Sequence, residues 1–156
     1  MQRSSDSDSM RGALGVNSLP FHQRNGDIVA TWAEVKQFIG SNYVVSNTTD
    51  RMLTLEFPTQ PDRSQLVFVM GIEDAEEMNG VRFFSAFAEV GQISPAQFAQ
   101  LANNTLFGLA EQAGYYGLVH MSFLADLDAS EIHVPMLAVA AQADKIERQL
   151  GLGDGF

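Results

Sequence analysis

The spacing of apolar and polar positions predicts two short helices in the first two thirds of the chain. In the stretch TWAEVKQFIG the apolar residues recur at helical spacing, and Thr31 with Glu34 three residues later matches a capping box. Ser94 followed by Pro95 indicates the start of the second helix, because serine caps free N–H groups and proline at the next position needs none. Both segments are therefore predicted to be helices with defined N-termini.

A third helix is predicted near the end of the chain, where apolar residues again recur every three or four positions. The rest of its surface is polar and consists of Asp144, Lys145, Glu147 and Arg148. Gly151 is expected to end this helix. Pro135 cannot lie deep in a helix because it lacks an N–H group, so the regular part is expected to begin within one turn of it.

Alternating patterns predict strands between these helices. Apolar and polar positions alternate in MLTLEF, whereas SQLVFVMGIE and VRFFSAFAEV are apolar on both of the faces that a strand presents. A further strand is predicted in LVHMSFLADL. Strands that are apolar on both faces need cover on both sides of the sheet. If helices cover one side, a second subunit, a bound peptide or the N-terminal tail could cover the other, unless those residues are ordinary core.

The predicted order of elements is α-β-β-β-α-β-β-α, which indicates the α+β class. Most strands are joined by short turns, so the first three are expected to form an antiparallel meander, with the helices on one face of the sheet. Residues 1–26 are rich in Ser, Asp, Gly and Asn without an apolar period, which predicts a flexible tail. Residues 27–156 are predicted to form a single domain.

Charge and composition argue against several classes of protein. The chain has 19 acidic and 9 basic residues, and its net charge of -10 repels phosphate backbones and anionic membranes, so neither is an expected partner. The absence of cysteine excludes disulfides, thiolate zinc sites and cysteine nucleophiles. No apolar run reaches the roughly 18 residues that span a bilayer, and the N-terminus lacks the apolar stretch of a secretory signal. We therefore predict a cytoplasmic protein.

An acidic cluster between the two most apolar strands raises the question of a metal site. It consists of Glu73, Asp74, Glu76 and Glu77. Carboxylates are ligands for Ca²⁺ and Mg²⁺, but the spacing matches no calcium-binding loop. Asn79 and Gly80, which follow, are typical of a hairpin turn. We interpret the cluster as a charged hairpin loop and predict no metal.

Two further segments resemble ligand-binding loops only in part. DLDASE begins like a calcium loop but has Glu131 where glycine is required, and Asp128 or Ser130 as a helix cap explains the same letters. The glycines of GLGDG follow a helix, whereas those of a nucleotide-binding loop precede one. Neither segment predicts a cofactor.

The histidines give no sign of a metal or catalytic site. His22, His120 and His133 lack the spacing of zinc ligands. A hydrolase that uses His120 with Asp126 or Glu89 is an alternative, although the sequence has no G-x-S-x-G nucleophile elbow. We predict a protein that is not an enzyme and has no cofactor.

Four features in succession give the chain a family likeness. A short opening helix precedes a strand pair, and the long apolar hairpin LVFVMGIEDAEEMNGVRFFSAFAEV leads directly into the helix SPAQFAQLANN. A final hairpin then enters the acidic C-terminal helix. Over roughly residues 28–150 the chain resembles the type III secretion chaperone-like fold and, within it, the YbjN-type regulators. The resemblance implies a small acidic homodimer without a catalytic centre.

The sequence therefore predicts a dimeric protein-binding module, chaperone-like or regulatory, that holds an extended or amphipathic segment of a partner protein. The residues predicted to form the dimer or partner-binding face are Phe83, Phe87, Phe98 and Leu101. The alternative is a small-molecule-sensing regulatory protein with its pocket between the helices and the sheet.

Overall fold

A computed structural model gives the structure of residues 22–24, 27–73, 79–125 and 127–156. Over these residues the chain forms the following helices and strands. They are β1 (His22–Arg24), β2 (Asp27–Val29), α1 (Trp32–Asn42), β3 (Val45–Thr48), β4 (Met52–Gln60), β5 (Arg63–Ile72), β6 (Gly80–Glu89), α2 (Pro95–Asn104), β7 (Gly108–Gln112), β8 (Tyr115–Phe123) and α3 (Ser130–Leu150). The predicted α+β class is confirmed.

The main sheet has six antiparallel strands in the order β3-β4-β5-β6-β8-β7. Strands β3 to β6 form a meander, since each pairs with the next along the chain. The predicted order had three strands between the first two helices, and the structure has four, β3 to β6. The strand pair described after the first helix is present as β3 and β4, and the side chains of the short β3 are mostly exposed.

The first described residues form a small hairpin of their own. β1 and β2 pair antiparallel, so strand structure begins within the last residues of the predicted tail. Residues 1–21, 25 and 26 of that tail lie outside the described residues. Ala30 N donates a hydrogen bond of 3.0 Å to Leu124 O, which joins the segment after β2 to the end of β8.

Both predicted capping boxes are present. The Thr31 hydroxyl accepts a hydrogen bond from the backbone N–H of Glu34, and the Glu34 carboxylate accepts one of 2.7 Å from the backbone N–H of Thr31. Ser94 and Gln97 make the same reciprocal pair before α2. Because each box satisfies two N–H groups that the helix leaves free, these helices begin where the sequence predicts.

The last helix, α3, begins earlier than predicted. It starts at Ser130, so Pro135 is its sixth residue and lies beyond the first turn. Asp128 Oδ1 accepts hydrogen bonds from the backbone N–H groups of Ser130 and Glu131, as a capping residue does. Pro135 removes the hydrogen bond that the Glu131 carbonyl would otherwise receive. The Ser122 hydroxyl of β8 donates to that carbonyl instead, at 3.2 Å, and so helps to accommodate the proline.

Replacing Ser122 with alanine is expected to lower the free energy of unfolding by about 1 kcal/mol, because the Glu131 carbonyl then loses its donor. Urea denaturation measures the loss. In the double variant Ser122→Ala/Pro135→Ala, the alanine at 135 supplies the missing N–H group, so much of the loss should be recovered. Equal losses in the single and double variants would contradict this account of the proline.

All three helices pack on the same face of the main sheet. The indole of Trp32 in α1 lies against Gly71 of β5. The ring of Phe98 in α2 lies 4.6 Å, centroid to centroid, from that of Tyr116 in β8. α3 crosses β5, β6 and β8 on the side where strand register places both Gly71 and Tyr116. The core therefore lies between the sheet and one layer of helices.

Candidate functional site

The predicted contact residues lie on the helix-covered side of the sheet. Phe83 and Phe87 are 0% exposed and belong to the core. In the folded chain the helices cover both side chains, whereas the predicted contact face requires them at the surface. Phe98 and Leu101 of α2 are half-buried and pack against the same core, and their role in a contact stays a prediction.

The alternative catalytic pair does not assemble among the described residues. His120 lies beside two phenylalanine rings, each with its centroid 6.2 Å from that of the imidazole. Glu89 stands opposite Tyr115, at the other end of the β6–β8 pair from His120. Asp126 lies outside the described residues. Within the described ranges, no three His, Asp or Glu side chains are grouped so that they could hold a metal ion.

The acidic cluster is described only at its first residue. Glu73 is exposed, and residues 74–78 lie outside the described residues. Ile72 pairs with Gly80, so the cluster falls in the connection between β5 and β6. This position agrees with the predicted hairpin, whereas the interpretation of the acids themselves stays a prediction.

The face of the sheet opposite the helices is also largely apolar. We call it the open face, and its residues are the apolar Met52, Leu66, Phe68, Met70, Ile72, Phe84, Ala86, Val119, Met121 and Phe123, together with Arg82 and, on β4, Thr54 and Glu56. Phe84 fits closely over Gly117 of β8, where an added Cβ would clash with the Phe84 ring and lie only 2.6 Å from the Ser85 carbonyl oxygen. A side chain at position 117 would therefore displace the phenylalanine ring. This packing keeps Phe84 buried although no helix covers it.

The sheet divides in the half of the open face that lies away from the connection between β5 and β6. Backbone pairing between β5 and β6 extends only as far as Phe68 and Phe84. Beyond the Phe68–Phe84 pair, side chains join the two strands. The Ser85 hydroxyl donates to Leu66 O at 2.8 Å, and the Gln65 amide donates to Ala86 O. A register shift between Ala86 and Ala88 bends β6 away. We call this division, between residues 63–67 and 85–89, the fork.

A cavity of about 380 Å³ opens on the open face beside the fork. It is lined mainly by apolar groups of Met52, Leu66, Phe68, Phe84, Ala86, Gln112, Ala113, Tyr115, Gly155 and Phe156. The rings of Tyr115 and Phe156 meet edge to face, with centroids 5.2 Å apart, and form one wall. Gln112 Nε2 lies 3.5 Å from Met70 Sδ, so the end of β7 reaches over this face. Gln112 Oε1 is buried without a hydrogen-bond partner among the described residues.

A second, shallower depression lies on the same face, nearer to the connection between β5 and β6. It is lined by Ile72, Arg82, Val119, His120 and Met121, and we call it the Arg82 groove. Val119 stands directly opposite Phe84, which lines the cavity, so the groove and the cavity adjoin. Met121 is 40% exposed, and Phe123, at the end of β8, is 55% exposed. The apolar surface therefore continues from the cavity to the end of the sheet where Phe123 pairs with Gly80.

Behind the fork, on the helix side, lies a cluster of buried charges. Arg63 Nε donates to Asp144 Oδ1 at 2.5 Å, and Arg63 Nη2 donates to Glu147 Oε2 at 2.6 Å. Asp144 is 1% exposed and Glu147 is 0% exposed. The sequence predicted both carboxylates on the polar surface of the last helix, and the structure corrects this. Arginine at the start of β5 makes their burial possible, because the several N–H donors of one guanidinium can serve two carboxylates.

Burial and pairing shift the two carboxylates in opposite directions. Burial raises the pKa of Glu147 to about 7, and the hydrogen bond from Gln65 and the charge of Arg63 oppose this only in part. Burial also raises the pKa of Asp144, but the hydrogen bond from Arg63 and the charges of Arg148 and Arg63 outweigh it, so the pKa is lowered. The difference follows from the partners: Asp144 has two arginines and Glu147 has one.

The charged cluster also adjoins the wall of the cavity. α3 ends at Gly151, which adopts a left-handed conformation with φ 70° and turns the chain. Asp154 Oδ1 then lies 3.8 Å from Arg63 Nη2. Two residues later, Phe156 reaches Tyr115 on the cavity side. Arg63 therefore lies within salt-bridge distance of the segment that supplies part of the cavity wall.

Comparison with known proteins adds nothing to this geometry. Among the described residues, no helix is both long and apolar enough to cross a membrane. The α+β class rests on the strand register and the helices of this chain, and the resemblance to YbjN-type proteins stays a prediction. Protein-family models, curated proteins and solved structures give no significant match to the chain.

Proposed function

We propose that the chain is a non-enzymatic binding module that holds an extended apolar segment of a partner protein on the open face of its sheet. The observation that carries the proposal is the cavity beside the fork, which adjoins the Arg82 groove on the same apolar face. An exposed apolar patch rimmed by polar residues is typical of an interaction site.

The dimensions of the open face suit an extended segment. Gly80 and Ala86 are six residues apart on β6, which corresponds to roughly 20 Å of strand. Alternate side chains of an extended segment lie about 7 Å apart on one side, so three of them could contact this face, one in the cavity. Three methionines, Met52, Met70 and Met121, adapt to side chains of different shape.

A second candidate function is the binding of a small amphipathic molecule. The cavity falls within the size range of small-ligand sites, and its lining is mainly apolar with few polar groups. Gln112 Oε1 is a buried acceptor that a hydroxyl or N–H group of such a ligand could satisfy. The predicted small-molecule pocket lay between the helices and the sheet, whereas this cavity lies on the opposite face.

Filling the cavity tests the proposal. A dye-labelled octapeptide with Phe and Leu at alternate positions and Ser between them serves as the partner segment. Wild-type protein is expected to bind it, and Ala86→Phe is expected to weaken binding at least tenfold, because the new ring occupies the cavity beside the fork. Fluorescence polarisation measures the affinity. The matched control is Ala96→Phe on the exposed surface of α2, which should bind like wild type.

Other occupants of the open face give different results. Light scattering that shows a dimer, lost in Ala86→Phe, would assign the face to a second copy of the chain. Peptide binding that appears only after removal of residues 1–21 would assign it to the chain's own N-terminal segment. A small molecule detected by native mass spectrometry in wild type but not in Ala86→Phe would favour the second candidate. Each of these results would overturn the proposed partner segment.

A further inference from the structure

The Arg82 groove indicates the chemistry of the partner segment. We propose that this segment carries an acidic residue that pairs with Arg82, about four positions from the apolar residue that fills the cavity. This inference rests on the proposed function and adds to it a requirement for charge at one position. A purely apolar segment would satisfy the cavity but not the arginine.

Arg82 lies in apolar surroundings without an acidic partner among the described residues. It is half-buried, and strand register places Met70 and Met121 directly opposite on the two neighbouring strands. No ion pair or side-chain hydrogen bond joins it to a described residue, whereas Arg63 has two bonded carboxylates. A guanidinium beside methionines loses part of its hydration and gains little in return. A carboxylate from a bound segment could supply a bidentate pair there.

The overall charge makes this positive position unusual. The chain carries a net charge of -10, so its long-range field does not attract acidic partners. At physiological ionic strength, however, exposed charges are largely screened beyond about 8 Å. The Arg82 guanidinium can therefore pair locally with a carboxylate although the chain as a whole is acidic. Such a local pair contributes to the choice of partner more than to the rate of encounter.

Strand spacing sets the separation between the two requirements. Ala86 at the cavity and Arg82 in the groove are four residues apart on β6, which corresponds to roughly 13 Å. An extended segment that runs along β6 spans the same distance in four of its own residues. The preferred segment therefore has apolar residues at two alternate positions and Asp or Glu at the next alternate one, in either chain direction.

Three peptides test the requirement for charge. They share two apolar residues at alternate positions and differ at the next alternate position, which is Glu, Gln or Lys. Wild-type protein is expected to bind the Glu peptide at least tenfold more tightly than the Gln peptide, and the Lys peptide more weakly than both. Arg82→Gln should remove the difference between Glu and Gln, and Arg82→Glu should favour Lys. Lys145→Gln, on the exposed surface of α3, is the control and should keep the wild-type order.

The outcomes separate this inference from the proposed function. Equal affinity of wild type for the Glu and Gln peptides, with binding still weakened by Ala86→Phe, would overturn the acidic requirement and leave the proposed function standing. Failure of wild type to bind any of the three peptides would overturn both. Thermal melting of each Arg82 variant confirms that it is folded, so a changed preference reports the binding site.

Discussion

Replacing Arg63 with alanine is expected to lower the free energy of unfolding by about 3–5 kcal/mol at pH 8. The reason is the burial of Asp144 and Glu147, which are 1% and 0% exposed and both accept hydrogen bonds from Arg63. Without the guanidinium, Glu147 loses its cationic partner, and Asp144 retains only the more exposed Arg148. An unpaired buried charge costs far more than a surface ion pair contributes. Urea denaturation measures the loss.

The control for this variant is Arg51→Ala. Arg51 is exposed in the turn before β4 and has no ion pair among the described residues, so its removal should leave the free energy of unfolding unchanged. The loss caused by Arg63→Ala should be smaller at pH 5 than at pH 8, because Glu147 can then take up a proton. A loss below about 1 kcal/mol at pH 8 would mean that water reaches the carboxylates, contrary to their burial in the structure.

Helix starts were predictable because their causes are local. The capping boxes at Thr31 and Ser94 need only residues three positions apart, and both are present. At α3, the predicted cap at Asp128 is present, but the expectation that the helix begins within one turn of Pro135 is wrong, because Ser122 of β8 donates to the carbonyl that Pro135 leaves without its helical hydrogen bond. Local sequence carries the first kind of information and not the second.

The apolar character of β5 and β6 on both faces was predicted, but the use of each face was not. The local sequence does not distinguish Phe83 and Phe87 from Phe84. Only the position of the helices places the first two in the core. A single-residue change of register exchanges the faces of a strand, so alternation alone cannot tell which face meets the helices. A sequence signal that could have identified the face without helices is the charge of Arg82, which lies on that face.

The burial of Glu147 could have been predicted from the pattern of the last helix, whereas its partners could not. At about 3.6 residues per turn, Glu147 lies within the apolar stripe, about 20° from Ala140, and Asp144 lies at the edge of that stripe, so assigning both to the polar surface was wrong. Their burial depends on Arg63 and Gln65, about 80 residues earlier in the chain. The sequence shows the charges of both segments, but only the fold brings them together. The same contacts connect this cluster to the cavity through Asp154.

Glu147 is expected to make the free energy of unfolding decrease as the pH rises from about 4.5 to about 7. Its pKa is raised in the folded chain, so the folded state binds the proton more tightly than the unfolded state does. The stabilisation from this group is therefore complete below its ordinary pKa of 4.5 and is lost as the pH passes through about 7. The shift corresponds to roughly 3 kcal/mol. Asp144 acts oppositely and in a lower range, since its lowered pKa gives stabilisation that is lost only in more acidic solution.

Glu147→Gln isolates this contribution, because glutamine resembles the protonated carboxyl group in shape and charge. Its amide is also a donor, and Gln65 Oε1 beside it is buried without a hydrogen-bond partner among the described residues. Urea denaturation should find Glu147→Gln more stable than wild type by up to roughly 3 kcal/mol at pH 8 and nearly equal to it at pH 4.5. Glu111→Gln, on the exposed side of β7, should follow the wild-type pH profile. Parallel profiles for wild type and Glu147→Gln would show that Glu147 is ionised in the folded chain as readily as in the unfolded one, and that Arg63 fully compensates its burial.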